Sequence, residues 1–404
     1  MNKFRTHKIH KCRLCFSKKL KFIYSFGKIF VSNFVSKPNI KKGIKAPLNL
    51  VYCSKCTLLQ LEHSAPQEIM YRKFYWYRSG VTATMKKALK EIYEGVLKLN
   101  ILNEKDVVLD IGANDGTLLS NFKKNFVTIG CEPAKNLIAE LKKNCDYVIN
   151  NFWSADLCLK LIKKNDLARP KLITAIGMFY DLENPSKFIK DAVNVLHDDG
   201  IFVAQLMCLD SMLDQNDLGN ICHEHLEFYS FTSLKYLFES NGLKIFKINK
   251  NNINGGSYRV YAKKNLVKSI NFKEDVSLKR IREFIKIIKN NKKKCLEFLI
   301  KAKKNKKKVF IYGASTKGNT LLQYYRIDKR LVSFAAERSP EKWGKYTIGT
   351  GIKIISEQQA RKLKPDFFFA LPYGFINEFV LREKKWIKQG GKFLIPYPKF
   401  KVIN

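Results

Sequence analysis

Four cysteines, Cys12, Cys15, Cys53 and Cys56, form two Cys-x-x-Cys pairs, the spacing at which a tight turn aims two sulfurs at one tetrahedral ion. Four thiolates close the shell of a structural zinc site, leaving the metal no open position and no catalytic role. A second constellation, Asn220-Ile-Cys222-His223-Glu224-His225-Leu-Glu227-Phe-Tyr229, sets two of the chain's six histidines on either side of a carboxylate. The imidazoles are not one helical turn apart, as the zincin pattern His-Glu-x-x-His requires, and a third metal ligand is wanting. Acid–base chemistry suits the block better. A neutral imidazole accepts a proton near pH 7, and a carboxylate orients it and stabilises its cation. Taken in isolation, the same residues also suit a polar surface loop.

A third block, Val107-Val-Leu-Asp110-Ile-Gly112-Ala-Asn114-Asp115-Gly116-Thr, closes a buried strand and opens a helix. Glycines there let a ligand approach the backbone, and the helix start offers free N–H groups. Glu132, in Gly130-Cys-Glu-Pro133 at the end of the next strand, is placed to accept hydrogen bonds from ribose hydroxyls. A dinucleotide and S-adenosylmethionine both satisfy this pattern. Asp110 and Asp115 suit the cationic sulfonium and ammonium end of the latter better than a pyrophosphate. Asn151 and Phe152, after the following strand, complete the candidate cofactor residues. Asn254-Gly255-Gly256-Ser257-Tyr258-Arg259 reads as a hairpin turn. Gly313-Ala-Ser-Thr-Lys317-Gly318-Asn319-Thr320 has the outline of a Walker A loop, but Asn follows its second glycine where that motif has Lys, so it reads as a nucleotide or phosphate contact and not an ATPase.

Elements of three textures position these blocks. Residues 1–70 carry the cysteine pairs and short strand-like runs (21–34 and 48–52), as a metal-stapled module does. Residues 71–262 alternate helix and strand, with strands at Val107–Ile111, Val127–Cys131, 147–150, Leu172–Ile176 and 201–206. Helices are expected over 81–99, from Thr117, over 136–143 and over 185–196. This is the pattern of a parallel, doubly wound sheet. Residues 263–404 begin with a long amphipathic helix bearing Ile281, Phe284, Ile285 and Ile288, then start a second, smaller α/β unit at Val309 with strands near 367–371 and 392–395.

The chain has 404 residues and a formal net charge of +40. Its cations are 62 Lys and 13 Arg, scattered among Asn and Ile rather than gathered into an Arg-rich stripe. That is the texture of solvated surface charge more than of a nucleic-acid footprint. No run reaches the roughly 18 apolar residues of a membrane span, and Met1-Asn-Lys-Phe-Arg lacks the apolar core of a secretion signal. The expectation is a soluble cytoplasmic protein with reduced cysteines, no membrane partner and no nucleic acid; its oligomeric state is open, a monomer being compatible.

In this order and spacing the blocks resemble the sugar C-methyltransferases that act on nucleotide-linked 4-keto-6-deoxyhexoses. The resemblance spans nearly the whole chain, from Cys12-x-x-Cys15 and Cys53-Ser-Lys-Cys56 through Leu109–Gly116, Cys131-Glu-Pro133, His223-Glu-His225 and Asn254–Ser257 to Gly313–Thr320. It implies a zinc-binding N-terminal domain, a central Rossmann-like class I methyltransferase domain using S-adenosylmethionine, and a C-terminal Rossmann-like domain that helps hold the nucleotide sugar. It also implies that a base in the histidine block, matching His225 with Glu224 and His223 beside it, removes the proton α to the ketone. Tyr180 is a candidate donor to the enolate oxygen. Tyr75, Tyr77, Asn254, Arg259, Lys317 and Asn319 are candidate substrate contacts. Two departures stand out: Cys222 takes the place of a Tyr before His-Glu-His, and Met178-Phe-Tyr180-Asp181 takes the place of a His followed by an aspartate. The competing readings are an RNA or DNA methyltransferase with a zinc module and a non-enzymatic nucleotide-sugar-binding protein.

Overall fold

The structure, a computed structural model, describes residues 5–403. Residues 1–4, on which the reading of no secretion signal rests in part, lie outside the described residues. Strand β1 (His7–Lys8) leads to β2 (Leu20–Phe30), β3 (Phe34–Val35), β4 (Lys45–Cys53), β5 (Leu59–Leu61) and β6 (His63–Ser64). β2, β4 and β5 form an antiparallel sheet, and β1 pairs with β6. The expected run 21–34 is broken after Phe30, because β3 leaves for another sheet.

The central unit begins with α1 (Ala83–Leu97), capped by the Thr82 side chain. It continues through β7 (Val107–Ile111), α2 (Leu119–Phe122), β8 (Val127–Cys131), α3 (Ile138–Asn144), β9 (Tyr147–Ile149), α4 (Ala155–Lys164), β10 (Leu172–Ile176) and α5 (Pro185–Val195). After them come β11 (Ile201–Met207), α6 (Leu209–Asp214), β12 (Glu227–Phe228), α7 (Phe231–Glu239), β13 (Lys244–Asn251) and β14 (Ser257–Lys263). The helix expected from Thr117 is a single turn, since the Asn121 carboxamide donates to the Thr117 and Leu118 carbonyls and competes with helix propagation.

The seven strands lie in the order β13-β14-β11-β10-β7-β8-β9. All are parallel except β14, which runs against both its neighbours. The reversal follows from a turn holding Asn254, Gly255 and Gly256 at φ values of 54°, 86° and 110°. Strand order turns back at β7, with β8 on one side and β10 on the other, so a crevice opens beyond their carboxyl ends. Every residue of β7 and β11 is buried, as expected of strands covered on both faces.

The last unit comprises α8 (Leu278–Lys304), β15 (Val309–Tyr312), α9 (Thr316–Tyr325), β16 (Phe334–Glu337), β17 (Tyr346–Thr347), β18 (Lys353–Ser356), α10 (Glu357–Lys362), β19 (Phe367–Ala370), α11 (Ile376–Arg382), α12 (Lys384–Lys388), β20 (Lys392–Ile395) and β21 (Lys401–Ile403). Its sheet order, β21-β20-β19-β15-β16-β18-β17-β3, turns back at β15, whose exit loop opens α9. The N-terminal strand β3 therefore completes the C-terminal sheet, while β12 of the central unit completes the N-terminal one. One apolar cluster runs through all three, from Phe26 and Leu48 to Met212 and Leu218 and on to Ile311 and Leu322. Among the described residues no helix is long and apolar enough to cross a membrane.

The seam between β2 and α9 is closed by a side chain acting as a strand. Gln323 Oε1 accepts from Phe30 N at 2.8 Å and its Nε2 donates to Phe30 O at 3.0 Å. Replacing Gln323 by Ala leaves both main-chain groups without partners, which costs about 1–3 kcal/mol; urea unfolding of the variant measures it.

Candidate functional site

Two equivalent knuckles bring the four cysteines together. In each, the first cysteine's carbonyl accepts from the residue four on, Phe16 N to Cys12 O and Thr57 N to Cys53 O, both at 3.0 Å. The first cysteine's N–H donates to the residue five on, Cys12 N to Ser17 O and Cys53 N to Leu58 O, both at 2.9 Å. Phe16 and Thr57 take φ of 56° and 61° to close the turns. All four sulfurs lie within 4.8 Å of one another, with Cys12 and Cys56 at 3.5 Å and Cys15 and Cys53 at 3.5 Å. A tetrahedron with Zn–S bonds of about 2.3 Å has edges of about 3.8 Å, so the donor set and its size fit zinc. The Gln60 carboxamide donates to Cys12 Sγ at 3.2 Å and also accepts from Arg13 N.

At the crevice, Gly112, Asn114 and Gly116 all have positive φ, which folds the loop back over β8. The Glu132 carboxylate receives Asn114 N at 2.9 Å on one oxygen and Ala134 N at 2.8 Å on the other. Burial pushes it up, against those two bonds. Pro133 and Asn150 follow, the Asn150 amide donating to both the Glu132 and Pro133 carbonyls. Asp110 is buried beneath, accepts from Thr174 Oγ1 at 2.6 Å, and is raised by burial to about 7. Asn151 accepts from Arg72 at 2.9 Å, and the same guanidinium lies 5.9 Å from the Phe152 ring. The segment 75–80 crosses this loop: Ser79 N donates to Asn114 Oδ1 and Gly80 N to Asp115 Oδ2, at 3.0 and 2.7 Å. A carboxylate held by backbone amides over a glycine turn is the arrangement the sequence pattern predicts at a ribose, and Asp115 faces Gly80 N at its edge.

His225 is buried, with Nδ1 2.7 Å from Asn220 O. A carbonyl only accepts, so Nδ1 carries the proton and Nε2 of the neutral ring keeps its lone pair. Burial, then the charge of Lys317, holds this imidazole well below the usual range. Tyr180 packs edge-on against it at 4.6 Å between centroids, and its hydroxyl donates to Gly177 O at 2.8 Å. Burial pushes the Glu224 carboxyl up, Cys222 and Thr316 opposing through hydrogen bonds. His223 faces the other way: its Nε2 lies 3.1 Å from Ala46 O on β4, a tether between units and not part of the His225 cluster.

The candidate substrate residues divide. Tyr75 belongs to the cluster, since its phenol is pushed up by burial and then by Asp181, Glu224, Tyr180 and Glu132. Tyr77 is more exposed and has Asp115 as its charged neighbour. Lys317, in the first turn of α9, reaches across to Asn220 Oδ1 at 3.1 Å and Met207 Sδ at 3.4 Å. Asn319 is buried on the same helix, its Oδ1 accepting from Thr350 and its Nδ2 without a partner. Asn254 lies exposed at the hairpin turn. Arg259 is buried, donating to Gln205 at 2.8 Å and to the Glu91 carbonyl of α1.

Three residues without a role in the sequence reading join the cluster. The Tyr71 hydroxyl donates to Glu224 O at 2.8 Å. Asp181 is buried and raised well above the carboxylate range by burial and Glu224. Asn220 stands between Lys317 and His225. Tyr71 could have been read from its place at the head of the aromatic segment 71–77; Asn220 meets His225 through its main-chain carbonyl, which no side-chain type announces.

Three family models match successive parts of the chain: a zinc binding domain over residues 12–71, a methyltransferase domain over 81–248, and a C-methyltransferase C-terminal domain over 252–398. The C-methyltransferase NovU of Streptomyces niveus is 25% identical over 411 residues, covering 98% of this chain and 97% of the relative. Among solved structures, magnesium protoporphyrin IX methyltransferase from Synechocystis PCC 6803 with bound SAM aligns at 10% identity and TM-score 0.32, over 44% of this chain and 78% of that one. A SAM-dependent methyltransferase from Leishmania major aligns at 19% identity and TM-score 0.35, over 46% and 76%.

Elemental analysis of the purified protein is expected to give one zinc per chain, and Cys53→Ser to lose it together with cooperative unfolding of the N-terminal strands. His223 is lowered by burial to about 4, so its contribution to stability is present above pH 6.5 and is lost as pH falls toward 4. Over that interval the wild type should lose about 3 kcal/mol more than His223→Asn, as measured by denaturant unfolding at each pH.

Proposed function

The chain belongs to the S-adenosylmethionine-dependent C-methyltransferases, and from that premise we propose that it methylates the carbon beside the ketone of a nucleotide-linked 4-keto deoxysugar. The observation that carries this reading is the buried neutral His225, whose free Nε2 lies in one cluster with Tyr180, Tyr75, Glu224 and Lys317. A carbon acid next to a ketone needs such a base, because its proton leaves only when the electron pair can move onto oxygen. His225 Nε2 takes that proton. Tyr180, Tyr75 and Tyr71 are phenols that burial keeps protonated; Tyr180 and Tyr71 donate to Gly177 O and Glu224 O, which leaves Tyr75 as the donor to stabilise the oxygen of the enolate.

S-adenosylmethionine, when bound, supplies an electrophilic methyl group. Glu132, Asn114, Asp115 and Gly116 would hold its ribose and amino-acid parts, with Asp110 beneath and Asn151 and Phe152 at the base end. The segment 75–80 excludes water above them and orients Tyr75 toward the histidine cluster. Lys317 and the start of α9 would meet the diphosphate of the nucleotide, with Asn319 behind them. Asn254 lies on the hairpin turn that packs against Asp217 and Asn220, and Arg259 is held by Gln205 and the Glu91 carbonyl. The zinc site is structural. A cytoplasmic setting follows from the supply of nucleotide sugars.

The test is labelled S-adenosylmethionine with a panel of nucleotide-linked 4-keto deoxysugars. Label is expected in a carbon-bound methyl of a keto sugar, and His225→Asn is expected to lower turnover by at least about 10²-fold while cofactor binding by calorimetry stays unchanged. Transfer to hydroxyl, nitrogen or nucleic-acid acceptors alone would overturn the proposal.

A further inference from the structure

Asn220 is 2% exposed and accepts one hydrogen bond on its main chain and one on its side chain. Its carbonyl accepts from His225 Nδ1 at 2.7 Å, and its carboxamide oxygen accepts from Lys317 Nζ at 3.1 Å. The histidine belongs to the central unit and the lysine to the C-terminal one, so a single residue joins a base to a cation across a unit boundary. We propose that Asn220 is a positioning residue that couples Lys317 to His225, so that an anion taken up by Lys317 makes Nε2 of His225 a stronger proton acceptor.

The surroundings of the pair support this. Lys317 comes from the α9 side. The histidine's own loop contributes Glu224, Cys222 and Asp217, the exit of β10 contributes Tyr180 and Asp181, and the segment before α1 contributes Tyr71 and Tyr75. Burial pushes the Asp181 and Glu224 carboxyls up, while Asp217, raised only to about 6, stays largely ionised at neutral pH. The lysine charge is thereby only partly compensated, and what remains disfavours a second positive charge on the neighbouring imidazole. An anion on Lys317 cancels that field. The base is then weak while the crevice is empty and strong when a phosphate-bearing substrate is seated. The only transfer involved is that of the substrate's α-proton to Nε2, whose electron pair becomes the new N–H bond. The electrons left on carbon move onto the ketone oxygen.

This inference rests on His225 as the base, but its test needs neither the keto sugar nor turnover. Full-length zinc-bound protein with histidine ¹⁵N label is titrated by NMR with and without saturating inorganic pyrophosphate, the His225 signals being assigned by their loss in His225→Asn. In the wild type the His225 midpoint is expected to rise with pyrophosphate by on the order of one pH unit. In Lys317→Met the midpoint should already be raised and no longer respond. In Asn220→Leu the response should shrink by half or more while S-adenosylhomocysteine binding is retained. If Asn220→Leu does not fold, Lys317→Met still decides. An unresponsive wild-type midpoint, a response that survives Lys317→Met, or no pyrophosphate binding at millimolar concentration would each overturn the coupling. A failure of methyl transfer to keto sugars would leave it standing.

Discussion

The hydrogen bond from His225 Nδ1 to the Asn220 carbonyl sets what the rest of the molecule must provide. It fixes the neutral tautomer with Nε2 free, and it does so where burial makes the imidazolium costly. Such a ring needs dry walls that do not themselves take the lone pair. The β10 exit supplies Tyr180, whose hydroxyl is occupied by Gly177 O. The segment before α1 supplies Tyr71, occupied by Glu224 O. The C-terminal unit supplies Lys317, a donor that cannot accept. Each wall comes from a different stretch of chain, so the imidazole acquires its character only when the units are docked.

That docking explains why a metal site belongs to this enzyme without meeting its substrate. The knuckle holding Cys12 also carries Arg13, whose guanidinium donates to Ser64 Oγ at 2.7 Å and whose Nε lies 3.8 Å from Glu227 Oε1. Glu227 in turn accepts from Leu182 N at 3.3 Å, and its own N–H donates to Tyr180 O at 3.1 Å. Both members of the Arg13–Glu227 pair are buried. An ion pair in that position is a poor source of stability but a strict constraint on geometry, because breaking it leaves a charge unpaired. The thiolate cluster fixes Arg13, Arg13 fixes Glu227, and Glu227, two residues after His225, fixes the loop that carries Tyr180 and Asp181.

How far this could be read beforehand depends on whether a residue's role lies in its side-chain type or in its partners. Strands β7, β8, β10 and β11 were legible because strands buried on both faces read as unbroken apolar runs. The zinc knuckles were legible because two intervening residues fix the turn. Strands β3 and β12, of two residues each, have no period to detect, yet they bind the three units together. His223 and His225 look equivalent in the sequence. They lie in an irregular loop, where spacing does not determine direction, and only the structure separates the tether to Ala46 from the ring with the free nitrogen. Asn220 meets His225 through its main-chain carbonyl, which every residue possesses, and Lys317 through a carboxamide whose direction the spacing does not set.

The net charge of +40 takes its place in the same account. A surface crowded with lysines attracts anions everywhere and therefore selects none. Selection needs a cation held at a fixed point in a low-dielectric setting, and few of this chain's cations are so placed. Arg13 is committed to the N-terminal strands, Arg259 to Gln205, and Lys342 to Ala314 O and Glu337. Lys317 alone among these four has its amino group against a carboxamide and a thioether, neither of which carries a charge. Its charge is the one left to act at a distance, and the group next along its line of contacts is the His225 ring.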